Sequence, residues 1–135
     1  MRVASYRISG RDSYGIVRDD GILDLGSRLA DAPDLKEAIA AGMLSEERFA
    51  DAPSDVALSD VSLRIPIRTP EKIWCIGVNY ADRNAEYKDG SQLPKYPSLF
   101  CRTPSSFVGH GEPLERPKVS TQLDYEGEIV LVIGK

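Results

Sequence analysis

The sequence predicts an α+β protein in two parts, a small β-rich N-terminal domain over residues 1–69 and a second body over residues 70–135. Three observations lead there. Short alternating segments separated by turn residues fill the first 25 positions. One helix-period segment follows near residue 35, and beyond Pro66 and Pro70 the chain returns to short apolar runs broken by polar turns. The composition fits a globular domain, with 41% hydrophobic and 28% charged residues.

Each element has a local cause. Val3–Ile8 alternates loosely, Tyr14–Arg18 does so again, and Asp19-Asp20-Gly21 supplies a turn before Ile22–Leu25. Pro33-Asp34 opens a helical segment with Leu35, Ala38 and Ile39 on one face, and Gly42 closes it. Ser45 is placed to cap a short helical turn ending at Phe49. Pro66 and Pro70 cannot donate to a ladder, so 61–70 reads as an edge strand or an extended crossing segment. Lys72–Val78 reads as a largely buried strand with Trp74 in the core, and Asn79-Tyr80 leads into a polar helical turn. Pro97–Arg102 is a short strand, Thr103–Ser106 a turn, and Gly109–Pro113 another. Leu123–Ile133 is the clearest strand in the sequence.

Composition excludes several functions. Seventeen Lys and Arg against twenty-one Asp and Glu leave a net charge of −4. That balance opposes nucleic-acid coating, which needs clustered positive charge to displace counterions. The longest strongly apolar run, Ile129–Ile133, is far short of the roughly 20 residues that cross a bilayer. Arg2 and Arg7 interrupt any secretory apolar stretch, so a cytoplasmic protein with neither nucleic-acid nor membrane partners is expected. Cys75 and Cys101 are expected to be buried free thiols, and a single histidine, His110, rules out thiolate–imidazole zinc chemistry.

The chemistry concentrates in the last predicted strand. Alternation puts Leu123, Tyr125, Gly127, Ile129 and Leu131 on one face, and Asp124, Glu126, Glu128, Val130 and Val132 on the other. Two glutamates about 6.6–6.8 Å apart along a strand would repel and raise one pKa unless something neutralised them. A hard dication with oxygen ligands does so. The other reading is an edge strand whose acids face water. A second polar cluster, Asp82, Arg83 and Glu86, follows the strand at 72–78 and reads either as a site or as a surface helix. Arg102, beside Thr103, Ser105 and Ser106, is suited to holding an anion or is simply a surface arginine. His110, between two glycines, is a turn residue or a base.

Three ordered blocks, Lys72-Ile-Trp-Cys-Ile-Gly-Val-Asn-Tyr-Ala-Asp82, Tyr96-Pro-Ser-Leu-Phe-Cys-Arg-Thr-Pro104 and Leu123-Asp-Tyr-Glu-Gly-Glu-Ile-Val-Leu-Val-Ile-Gly-Lys135, together resemble the fumarylacetoacetate hydrolase family. The resemblance is to its 2-hydroxyhepta-2,4-diene-1,7-dioate isomerase-like members, and it covers about residues 70–135. It implies that 70–135 begins a mixed β-roll catalytic domain, that 1–69 is the accessory domain many members carry, and that the protein is a homodimer. It also implies a metal-dependent isomerase, decarboxylase or hydrolase of a small 2-oxo (β-diketo) dicarboxylic acid, of the kind met in aromatic-compound catabolism. Mg²⁺ or Mn²⁺ is expected, with Ca²⁺ a third option. By the match, Glu126 and Glu128 are metal ligands and Asp82 a weaker third; Glu86 and Arg83 fall at catalytic positions; Tyr80, Arg102 and Ser105 would contact substrate.

Two departures from the family pattern matter. The family's Asn-Tyr-x-Asp-His-x-x-Glu block carries Arg83 in place of its histidine. Arginine stays protonated and cannot serve as a general base, which counts against hydrolysis but leaves a metal-stabilised enolate open. Members also continue past the equivalent of Lys135 and supply further site groups there. The chain is therefore expected to be an N-terminal portion, weakly active or inactive by itself. The competing expectation is a non-catalytic remnant or interaction domain that pairs with another chain.

Overall fold

The computed structural model describes residues 1–77, 95–123 and 128–134. They fall into two compact units, one of residues 1–68 with 108–135 and one of residues 69–107. Most of the regular structure is strand, and every strand pair is antiparallel among the described residues.

The first unit is built on a four-stranded sheet in the order β3-β2-β1-β4. Strand β1 (Arg2–Ile8) pairs with β2 (Arg11–Arg18) along its whole length, from Arg2 opposite Val17 to Ile8 opposite Arg11. Ser9 and Gly10 join them, both at positive φ (47° and 80°), which is the two-residue turn whose twist matches a hairpin. Strand β3 (Gly21–Asp24) pairs back on β2, and the two-residue strand β4 (Ser62–Leu63) lies against Arg7 and Tyr6 at the far edge. The chain leaves that edge at Pro66, whose carbonyl accepts a 2.7 Å bond from Ser5 Oγ. The expected edge segment is thus present but brief.

Tyr14, Ile16 and Leu23 share one sheet face and pack with Leu25, Leu29, Leu35 and Ala38, all buried. Each such aliphatic side chain withdrawn from water stabilises the unit by roughly 1.5–3 kcal/mol before conformational entropy is counted. Helix α1 (Leu35–Ala40) turns Leu35 and Ala38 into this core. Asp34 caps it by accepting the Glu37 N–H at 2.9 Å, and Gly42, at φ 65°, ends it. Ser45 Oγ accepts the Arg48 N–H at 3.1 Å and starts the 3-10 turn Glu47–Phe49. A strap then closes the excursion. Ile22 N–H donates to the Val56 carbonyl at 2.7 Å, and Asp55 N–H donates to the Ile22 carbonyl at 2.8 Å.

The second unit holds a ribbon of β5 (Trp74–Gly77) and β6 (Ser98–Cys101), with Trp74 opposite Cys101 and Cys75 opposite Phe100. Paired residues share a face, so the two cysteines point to opposite faces; both are free. The expectation of buried thiols is corrected, since Cys75 is half-buried and Cys101 exposed. So is that of a buried strand with Trp74 in the core, because Trp74 is 61% exposed and Ile76 54%. Among the described residues of this unit the ribbon has no further strand on either edge and no second layer to cover its faces.

The predicted strand 123–133 meets the same difficulty. Its residues 124–127 lie outside the described residues, and 128–133 form no strand, with Ile129 88% and Leu131 81% exposed. An apolar run becomes a strand only where another strand offers a ladder, and none does so among the described residues. No helix among them is long and apolar enough to cross a membrane.

Candidate active site

Of the residues that the resemblance assigns to the site, Arg102, Ser105 and Glu128 are described. Tyr80, Asp82, Arg83, Glu86 and Glu126 lie outside the described residues. Arg102 and Ser105 belong to the second unit and Glu128 to the first.

Arg102 follows β6 directly, and its backbone N–H extends the ladder by donating to the Ile73 carbonyl at 3.3 Å. Its guanidinium carbon lies 5.4 Å from the centre of the Phe100 ring, a cation–π contact that restrains the side chain. The side chain is exposed, and no ion pair to an acid engages it among the described residues. The planar fork of donors on a guanidinium matches the two oxygens of a carboxylate. The next turn, Pro104–Ser106, brings Thr103 Oγ1 and Ser105 Oγ to 2.9 Å, while Ser106 Oγ donates to the Thr103 carbonyl at 2.7 Å. The ribbon end therefore gathers one cation and a pair of hydroxyls. Glu128 is exposed. Among the described residues no three His, Cys, Asp or Glu side chains stand close enough to share a metal ion.

His110 sits in the turn Gly109–Glu112 of the first unit and is exposed. Glu112 fixes that turn, accepting the Gly109 N–H at 2.8 Å with one carboxylate oxygen and pairing Arg64 with the other. His110 borders a shallow cleft of about 300 Å³ with Leu63, Ile65 and Val108, and of the described site candidates Arg102, Ser105 and Glu128 none lines it.

The strongest electrostatics of the described residues lie in the first unit, and sequence reading missed them. Asp24, with its side chain 5% exposed, accepts Ser13 Oγ at 2.5 Å and Arg11 at 2.7 Å. Burial alone would push the Asp24 carboxyl up, but the Ser13 and Arg11 hydrogen bonds outweigh it and hold the group below the usual carboxylate range. Tyr6 Oη is buried beside them without a hydrogen bond of good geometry, and burial pushes the Tyr6 phenol up to about 12. Asp55 binds both forks of Arg28, at 2.7 and 2.8 Å, and also accepts the Asp24 N–H at 2.8 Å; Arg28 holds its carboxyl low. Asp12, bonded to Arg7 at 2.6 and 2.8 Å and paired with Arg68, is lowered to about 2, chiefly by the Arg7 bond. These groups are tied to structural partners and hold the sheet together. The one sequence signal was a set of polar residues on strands, which alternation alone assigns to solvent.

Comparison with known proteins adds what geometry leaves open. Residues 72–135 match the model of the fumarylacetoacetate (FAA) hydrolase C-terminal domain. Oxaloacetate tautomerase YisK of Bacillus subtilis is 35% identical over 159 aligned positions, which take in all of this chain and 52% of that protein. The mitochondrial oxaloacetate tautomerase fahd2 of Xenopus laevis is 44% identical over 77 positions, covering 57% of this chain and 24% of its own length. The crystal structure of an HpcE-like protein from Mycobacterium smegmatis superposes with a TM-score of 0.64 at 23% identity, covering 87% of this chain and 41% of that one, a likeness of fold. The chain thus spans about half the length of the Bacillus relative and a quarter of the Xenopus one. The three sequence blocks fall inside the matched segment, so residues 72–135 are similar to the fumarylacetoacetate hydrolase family.

Proposed function

We propose that this chain is part of a divalent-metal-dependent enzyme that interconverts the keto and enol forms of a small 2-oxo dicarboxylic acid, with oxaloacetate the first substrate to try. The observation that carries the reading is the match, along the whole chain, to a relative named for that reaction. Arg83 supports it, because a site without the family's histidine lacks the base that hydrolysis needs, whereas tautomerisation moves only a proton. In this reading residues 1–69 are an accessory domain and 70–135 the first part of a mixed β-roll catalytic domain, in a cytoplasmic homodimer.

Asp82, Glu126 and Glu128 would supply an all-carboxylate donor set, which fits Mg²⁺ or Mn²⁺ better than softer metals. Such a cation, when bound, lowers the cost of the negative charge that develops on the 2-oxo group as a proton leaves its neighbouring carbon. The remaining work belongs to side chains. Arg102, restrained on Phe100, holds the remote carboxylate, with Ser105 and Tyr80 completing the hydrogen bonds and Arg83 adding a second cation. Glu86 accepts the proton from the carbon next to the 2-oxo group and delivers it to the 2-oxo oxygen, which gives the enol; the reverse transfer restores the keto form.

Titration calorimetry of the chain with Mg²⁺ or Mn²⁺ tests the reading, set against the double variant Glu126→Gln/Glu128→Gln. Binding heat that disappears in the variant is expected. Heat that the two substitutions leave unchanged would refute the metal assignment. Proton exchange at the C3 methylene of oxaloacetate, followed by NMR, then reads tautomerisation directly. The relatives carry more sequence than these 135 residues, so little turnover is expected from this chain alone. The second reading, a non-catalytic domain that pairs with another chain, also draws on Arg83 and predicts no metal-dependent heat at all.

A further inference from the structure

We draw no further inference here: the strongest candidate, the exposed apolar run Ile129–Ile133 in the C-terminal stretch of the first unit, carries nothing because no feature among the described residues shows what covers it.

Discussion

Replacing Asp24 by alanine removes the anion at the centre of the buried cluster that ties β2 to β3. Its carboxylate takes one hydrogen bond from Ser13 and one from Arg11. Hydrogen bonds to a charged group contribute about 1.5–3 kcal/mol each. The two do not simply add, because Arg11 is 52% exposed and returns to water, while the lost carboxylate also loses its own desolvation cost. Ser13 stays buried without an acceptor, a penalty of about 1–3 kcal/mol. A net destabilisation of about 2–3 kcal/mol follows, which for a unit of this size lowers Tm by about 10–20 °C. Asp24→Asn keeps the shape and an acceptor for Ser13 but loses the ion pair, so about half that loss is expected. Urea unfolding followed by far-ultraviolet circular dichroism measures both variants. If each lies within about 0.5 kcal/mol of the parent, the range of a bland surface change, the cluster contributes nothing and the reasoning fails.

Acid should destabilise the same unit, since Asp12, Asp24 and Asp55 all have carboxyls lowered in the folded state. Their stabilisation is complete above the unfolded carboxylate value near about 4 and fades as pH falls through the folded values; a Tm that stays flat down to pH 2 would contradict it. Gly15→Ala should cost about 3 kcal/mol, because a Cβ there would lie 2.1 Å from the Leu23 carbonyl oxygen in the neighbouring strand; an unchanged urea midpoint would count against the β2–β3 register. Arg18→Ala should loosen residues 47–52, whose Phe49 and Ala52 carbonyls the guanidinium holds, and faster amide exchange there is the readout. Thiol titration of the native chain should find Cys101 fast and Cys75 slower, and a chain with no titratable thiol would overturn the ribbon register.

Much of the first unit was legible because its signals are local. The β1–β3 segments, the helix start at Pro33-Asp34, the Gly42 stop and the Ser45 turn each depend on residues a few positions apart, and all are found. Contacts between distant residues were not legible. Nothing near Asp24 announces that Ser13 and Arg11 will converge on it, or that Asp55 will accept its N–H. The apolar runs at 72–78 and 123–133 misled for a related reason. They say what gains from burial but not whether a layer exists to bury it, and Trp74 and Ile129 stand largely in solvent. The site was legible only as three strings of residue types, of which Arg102, Ser105 and Glu128 are described and Tyr80, Asp82, Arg83, Glu86 and Glu126 are not.

The strap at Ile22 has a practical consequence. Residues 25–55 leave the sheet beside Ile22 and are returned to that same residue by Val56, so the excursion is a loop closed at its root. Added length at Gly42, which is exposed and has open space where a Cβ would stand, leaves the ladder untouched and costs only slowly growing closure entropy. A reporter or affinity handle spliced in at Gly42 should therefore leave the neighbouring strands in register, giving a way to label this half of the chain without touching either terminus.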